Sequence, residues 1–316
     1  MDSNPRRRWF RFSLRTLLVL VLVLAAPMAW VAKERYQSQQ EQQVAARLQQ
    51  QGIHYIGFGG PYESLELYRQ DEPQGWWRDL AQRYLGIRVL QLTISRPDFH
   101  DLTPLARLTS LQELKVDSQT VSDLRLLAGL TRLNNLSLVV PQVSDLAPLS
   151  GLTNLYSLSI DGARTSDLSP LAGLTSMRHL HVGGSPISDL KPLAGLTHLT
   201  ILSLDNTRVS SLSPVAGLTH LQELYVKGAP VSDLTPLIGL KNFQMLDISG
   251  TQVRDLTPLA ELPKLRILFL RGTQVRDLSP LESLKQLNLL YLDRTQFNPE
   301  QIARLLTAVP NCHINP

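Results

Sequence analysis

From Asp101 to Asp277 a five-residue phrase, D-L-x-P-L followed shortly by leucine, returns every 22 residues in nine copies. Asp101, Asp123, Asp145, Asp167, Asp189, Asp233, Asp255 and Asp277 open eight of them, Ser211 opens the sixth, and no insertion interrupts the span. A fixed period of this length marks a solenoid, because each unit is too small to bury its apolar face except by stacking on its neighbours. It also makes binding the expected function. A stack of short turns offers a long ribbed surface and few deep clefts.

One turn shows the design. In the frame beginning at Leu221, the chain reads L-x-x-L-x-V, then Ala229 and Val231, then Asp233-Leu234-x-Pro236-Leu237, then Leu240. Leu224 and Val226 are two apart, so in a strand both point inward, and Glu223, Tyr225 and Lys227 point outward. Asp233 stands where a helical turn starts and can accept its orphan N–H groups. Pro236 falls in the first turn, where a missing N–H costs little. Only about ten residues separate that aspartate from the next strand, so short 3₁₀ turns are expected on the back. The frame fits ten turns, starting at Val89, Leu111, Leu133, Leu155, Met177, Leu199, Leu221, Phe243, Leu265 and Leu287. A partial strand follows from Val309, with Cys312 and Ile314 inward. Leu126 replaces the proline in the second turn, and Ser211 keeps a capping oxygen in the sixth. Ten strands at ~4.8 Å spacing make a sheet about 45–50 Å wide.

These motifs, over roughly Val89 to Leu292, resemble the 22-residue leucine-rich repeats of the internalin family, in a bacterial membrane-anchored form. The resemblance implies an α/β fold: a right-handed solenoid with a parallel sheet on the concave face and 3₁₀ turns on the convex face. It also implies a protein partner bound on the concave sheet. The chain departs from the family in placing Thr207, Thr251, Thr273, Thr295 or small residues where many repeats carry an asparagine ladder. It also has no sortase-type cell-wall signal.

The ends assign the remaining segments. Arg6, Arg7, Arg8, Arg11 and Arg15 lie in a basic tail, 1–15, ahead of an uncharged run from Thr16 to Ala32. Seventeen helical residues rise ~26 Å, short of a ~30 Å hydrocarbon core but sufficient if Arg15 snorkels. Trp9, Phe10 and Trp30 sit near its ends, as interfacial aromatics do, and the arginine bias places the N-terminus in the cytoplasm. Cleavage as a signal peptide is disfavoured, since Ala26 precedes Pro27, Ala29 has Pro27 at −3 and Ala32 has Trp30 at −3. An uncleaved anchor in a bacterial cytoplasmic membrane, with the repeats exported, is expected. The helix formers and eight glutamines of 33–51 suggest a stalk. Val44 and Leu48 make only a thin apolar seam, so a solvated spacer is expected in preference to a short coiled-coil dimer. Residues 52–88 should be the N-terminal cap, with a hairpin around Gly59-Gly60-Pro61 and Trp76, Trp77, Leu80, Ala81 and Tyr84 as a hydrophobic lid. Repeats then occupy 89–308 and a cap strand 309–316. Asn298-Pro299-Glu300-Gln301 reads as the start of a true α-helix to Ala308, with Ile302, Leu305 and Leu306 on its apolar face.

Residues 1–32 hold five Arg and one Asp of the chain's 31 Lys+Arg and 27 Asp+Glu, leaving 26 of each elsewhere. The rest is neutral with no basic stripe, so no nucleic-acid partner is expected. The one cysteine, Cys312, excludes an internal disulfide. No phosphate loop, H-E-x-x-H, C-x-x-C or G-x-S-x-G is present, so no enzyme, catalytic residue, cofactor or metal is expected. His179 and His181 share an outward strand face near Asp161 and Asp205, and without a third close ligand they read as exposed polar residues. The aspartates of the backs form a structural column, and the sequon Asn135-Leu136-Ser137 lies on the sheet face.

Outward strand positions are polar in the early turns: Gln91, Thr93, Glu113, Lys115, Asn135, Ser137, Ser157 and Ser159. Later they become apolar, with Ile201, Tyr225, Met245, Ile267, Phe269, Leu289 and Tyr291 interrupted by Glu223, Asp247, Lys227 and Arg271. Cross-strand packing is one explanation of such a column. A contiguous apolar patch with an arginine at its rim more often marks an interface. The expected protein-binding residues are therefore Ile201, Tyr225, Met245, Asp247, Ile267, Phe269, Arg271, Leu289 and Tyr291. The rival roles are an intracellular regulatory subunit of phosphatase-binding type and a self-associating structural envelope component.

Overall fold

A computed structural model describes residues 14–53, 55–59 and 88–315, with 14–24, 26, 27, 55, 58, 59 and 294 described as backbone alone. Its centre is one twelve-stranded sheet in sequence order. The strands are β1 (Tyr55–Gly59), β2 (Arg88–Ser95), β3 (Glu113–Asp117), β4 (Asn135–Val139), β5 (Ser157–Asp161) and β6 (His179–His181), followed by β7 (Ile201–Ser203), β8 (Glu223–Tyr225), β9 (Met245–Asp247), β10 (Ile267–Phe269), β11 (Leu289–Tyr291) and β12 (His313–Asn315). β1 pairs antiparallel with β2, whereas β2 to β12 pair in parallel. Between β2 and β11 the register holds the 22-residue period, with Leu202 opposite Leu224, Leu224 opposite Leu246 and Leu268 opposite Leu290. The strands and backs follow the ten-turn frame.

Each turn buries the same set. Leu221, Leu224, Val226, Ala229, Val231, Leu234, Leu237 and Leu240 are all exposed by 1 % or less. A fully buried leucine contributes about 1.5–3 kcal/mol, so each inward ladder is the main cohesive term of the stack. Backbone links add to it. Tyr156 N–H donates to the Asn134 carbonyl at 2.8 Å and Arg178 N–H to that of Tyr156 at 2.8 Å, joining each turn to the one before.

The backs are short 3₁₀ turns such as Ser169–Leu171 and Thr235–Leu237. The aspartates stand one residue ahead of the N-cap position. Asp233 Oδ1 accepts the Thr235 N–H at 2.8 Å, and Asp101, Asp123, Asp145, Asp167, Asp189, Asp255 and Asp277 repeat the bond at 2.8–2.9 Å. In the sixth turn Ser211 Oγ does so at 3.3 Å. This is an aspartate turn that pre-bends the chain into the 3₁₀ segment.

Leaving β5 to β10, the chain passes through the left-handed region, as at Gly228 (φ 71°) and at Asn206 (φ 56°) one turn earlier. A Cβ on Gly228 would meet Asn206 Oδ1 at 2.6 Å, so glycine is needed there for space as well as for φ. In the next position Thr207, Thr251 and Thr273 are buried, and their hydroxyls donate to the carbonyls of Leu204, Ile248 and Leu270 at 2.7, 2.6 and 2.8 Å. These bonds close within a turn, where an asparagine ladder would link turns. Thr295 is exposed.

The N-terminal end departs from expectation. Helix α1 (Leu14–Gln50) is continuous, and its second half lies on the first repeat instead of standing in solvent as a spacer. Val44, Ala45 and Leu48 join the core with 5 %, 2 % and 0 % exposure. Glu41, fully buried, accepts the Val89 N–H at 3.0 Å and pairs with Arg88 at 3.4 Å, and Arg88 also pairs with Glu34. The described partner of β1 is β2, and the expected lid, Trp76 to Tyr84, lies outside the described residues together with the rest of the predicted hairpin. The expected span, 16–32, falls within α1, and most of its side chains lie outside the described ones. Among the described residues, no helix is long and apolar enough to cross a membrane.

At the other end α2 (Pro299–Ala308) begins with a reciprocal capping box between Asn298 and Gln301. Leu305 is buried and Ile302 packs on the core, but Leu306 is 38 % exposed and leaves the apolar face. Cys312 is buried, which pushes its thiol up to about 11, and Ile314 stands opposite Leu290.

Candidate functional site

The strand register sorts the solvent-facing side chains into columns. One carries Ile201, Glu223, Met245, Ile267 and Leu289; its neighbour carries Ser203, Tyr225, Asp247, Phe269 and Tyr291. All ten are half-buried, and Arg271, two residues beyond Phe269, is exposed. Same-face side chains on adjacent strands lie about 5 Å apart, so the apolar members merge into one surface over turns six to ten.

Within it, the rings of Phe269 and Tyr291 stack with centroids 4.3 Å apart and planes 7° from parallel. The Arg271 guanidinium lies 5.6 Å from the Tyr291 ring centroid. This is cation–π distance, so the stack and its rim cation hold one another in place. Tyr225 is set differently. Its hydroxyl donates to Glu223 Oε2 at 2.8 Å and touches the Met245 sulfur at 2.8 Å. Burial first, then the bond to Glu223 and the charges of Glu223, Asp205 and Asp247, push the phenol well above its ordinary value. Asp247 Oδ1 accepts the Ser249 N–H at 2.8 Å, and Asp205 Oδ1 accepts that of Lys227 at 2.8 Å. Burial raises the Asp205 carboxyl pKa, opposed by the Lys227 N–H bond and reinforced by the charge of Asp247.

All nine expected residues thus fall on one face. Glu223 and Asp205 join them, and neither was among the expected binding residues. The signal was present in the frame, since Glu223 shares a column with Met245, and Asp205 lies one strand before Lys227 in the next column.

The polar half carries its own cluster. His179 meets Tyr156 edge-on, with centroids 5.0 Å apart, and burial with the charge of His181 lowers its pKa. Among the described residues, no group of three His, Cys, Asp or Glu is placed to hold a metal.

Ribbed sheet, 3₁₀ backs and buried leucine ladders together define a leucine-rich-repeat solenoid. Solved structures agree. An internalin, InlF, of Listeria monocytogenes is 24 % identical with a TM-score of 0.54, over 74 % of this chain and 86 % of its own. Internalin C2 of the same organism is 27 % identical with a TM-score of 0.52, over 65 % of this chain and 81 % of its own. A leucine-rich-repeat protein of Leptospira interrogans is 24 % identical with a TM-score of 0.66, over 72 % of this chain and 60 % of its own. No protein-family model matches the sequence, and no curated protein sequence does.

Proposed function

We propose that this chain is a non-catalytic recognition protein of internalin-like, 22-residue type. It is held in a bacterial cytoplasmic membrane by residues 16–32, N-terminus inside, and binds a protein partner on the concave sheet face of its repeats. The observation that carries the binding site is the Phe269–Tyr291 stack with Arg271 beside it, continuous with Met245, Ile267 and Leu289 on a half-buried face. Rigid aromatics that keep a large apolar area available lose little freedom on binding, which is why they recur as hot spots. The anchor rests on the uncharged run 16–32 behind five arginines, on one unbroken helix through it, and on the exposure of Met28 and Trp30, 70 % and 46 %, beyond the docked half of α1.

A C-terminal alkaline phosphatase fusion tests the topology. It should be active, and a C-terminal green fluorescent fusion exported by the same route should be dark. Bright fluorescence with an inactive phosphatase would place the repeats in the cytoplasm and favour the regulatory-subunit role. The partner is identified by affinity capture from envelope extract on the full chain followed by mass spectrometry, and assigned to this face only if capture fails with Phe269→Ala and Tyr291→Ala together.

A further inference from the structure

We propose that turns six to ten dock a protein segment that is both basic and apolar. One lysine or arginine of the partner would seat beside Tyr225 among Asp205, Glu223 and Asp247, and an aliphatic or aromatic side chain would lie on the Phe269–Tyr291 ledge. The inference rests on reading this face as a binding surface and adds the chemistry of what it binds.

Charge carries the argument. Asp205, Glu223 and Asp247 stand on three successive strands or their ends around one phenol, and each acts on it electrostatically. Each commits one oxygen to a neutral donor: the Lys227 N–H, the Tyr225 hydroxyl and the Ser249 N–H. Among the described residues none of the three is in an ion pair; those pairs are formed by Glu34, Glu41, Asp98, Asp123 and Glu261. Lys227 and His181 reach Asp205 without offsetting its burial, and His179 interacts with Glu223. Half-buried carboxylates crowded this way repel one another, and an incoming cation removes that cost while its flat or apolar part covers the Tyr225 ring.

The ledge sets the second requirement. Phe269 is two strands from Tyr225 in the same column, so cation and apolar anchor are ~10 Å apart, about three residues of an extended segment. Arg271 on the far side fixes polarity, because it repels a cation there and favours an acidic or carbonyl group.

Random peptides displayed on phage, selected on the full chain in detergent micelles, test this directly. Enriched sequences should carry Lys or Arg about three residues from a large apolar side chain. A synthetic peptide of the enriched sequence should bind at least ~10-fold more weakly to Asp205→Asn with Glu223→Gln and Asp247→Asn, and its affinity should fall with added salt only for the native protein. The amides keep every hydrogen-bond acceptor named above, so the triple variant should melt like the native chain. Peptides with no excess of Lys or Arg that still depend on Phe269 and Tyr291 would overturn the basic partner and leave the binding face intact. Peptides indifferent to both sets of substitutions, or no enrichment, would overturn both. Self-association of the chain that the triple variant abolishes would replace the proposed partner by a second copy.

Discussion

At the scale of single residues, the backs of the turns are held by one repeated bond, a carboxylate accepting the N–H two residues on. Asp189→Ala should cost ~0.5–2 kcal/mol in chemical denaturation, the usual loss when such an oxygen is removed. The sixth turn offers the reverse experiment. Ser211 makes that bond at 3.3 Å where aspartates make it at 2.8–2.9 Å, so Ser211→Asp should stabilise the fold by up to ~1 kcal/mol. The hydrogen bonds from the residue two positions on hold Asp101, Asp123, Asp167, Asp233, Asp255 and Asp277 below their ordinary value of 3.8. Folded pKa values below unfolded ones mean that this stabilisation is complete above pH 3.8 and is lost as pH falls through the lowered values. Melting temperature followed downward from about pH 5 should drop, and Asp233→Asn with Asp255→Asn should flatten the drop; an unchanged slope would remove these carboxylates from the acid transition. Inward positions tolerate no charge. Leu204, fully buried in the ladder, has no partner to offer a carboxylate, so Leu204→Asp should abolish the cooperative melt.

At the scale of elements, the strands, the 3₁₀ backs and the C-terminal helix were legible because their signals are local. A period of two marks an inward strand face, proline with aspartate marks a back, and an asparagine followed by proline marks a helix start. The docking of α1 was not legible for an equally physical reason. Val44 and Leu48 alone look too thin a seam to bury, since the rest of the contact is polar: Ser38 and Glu41 are 2 % and 0 % exposed. Glu41 reads as a surface residue in sequence until Arg88 and the Val89 N–H, 47 and 48 residues away, are known to be its partners. Glu41→Ala should therefore be costly, about 1–3 kcal/mol locally, because it leaves a buried strand N–H without its acceptor and the Arg88 cation with Glu34 as its one carboxylate partner. In a solenoid each turn touches only its neighbours, so the damage should stay near the end it strikes. Hydrogen exchange should rise in β2 and β3 of the variant and remain native from β8 onward. Uniform loss along the chain would mean that the repeats unfold as one unit, and no change would mean that α1 does not cap the stack.

At the scale of the whole molecule, the strict 22-residue register converts a sequence gradient into a spatial one, polar in the early turns and aromatic in the late ones. That much of the site was readable, because register alone assigns columns. The ring stack, the Arg271 contact and the hydrogen bonds of the carboxylates around Tyr225 were not, since rotamers and burial decide them. The same geometry separates an interface from mere packing. Stacking of Phe269 on Tyr291 contributes roughly 0.5–1.5 kcal/mol beyond the area it covers, and both rings are only half-buried. Removing them should thus lower the melting temperature slightly, whereas truncating an aromatic hot spot typically costs ≥2 kcal/mol of binding, about thirtyfold in affinity. Phe269→Ala with Tyr291→Ala should abolish capture of the partner while circular dichroism stays native. Ser157→Ala with Ser159→Ala, on the same face in the fourth turn, should bind normally, since those hydroxyls bring no apolar area to the face. If the aromatic pair binds like the native chain but melts several degrees lower, the stack is a brace for the last turns of the solenoid, and the partner must sit elsewhere.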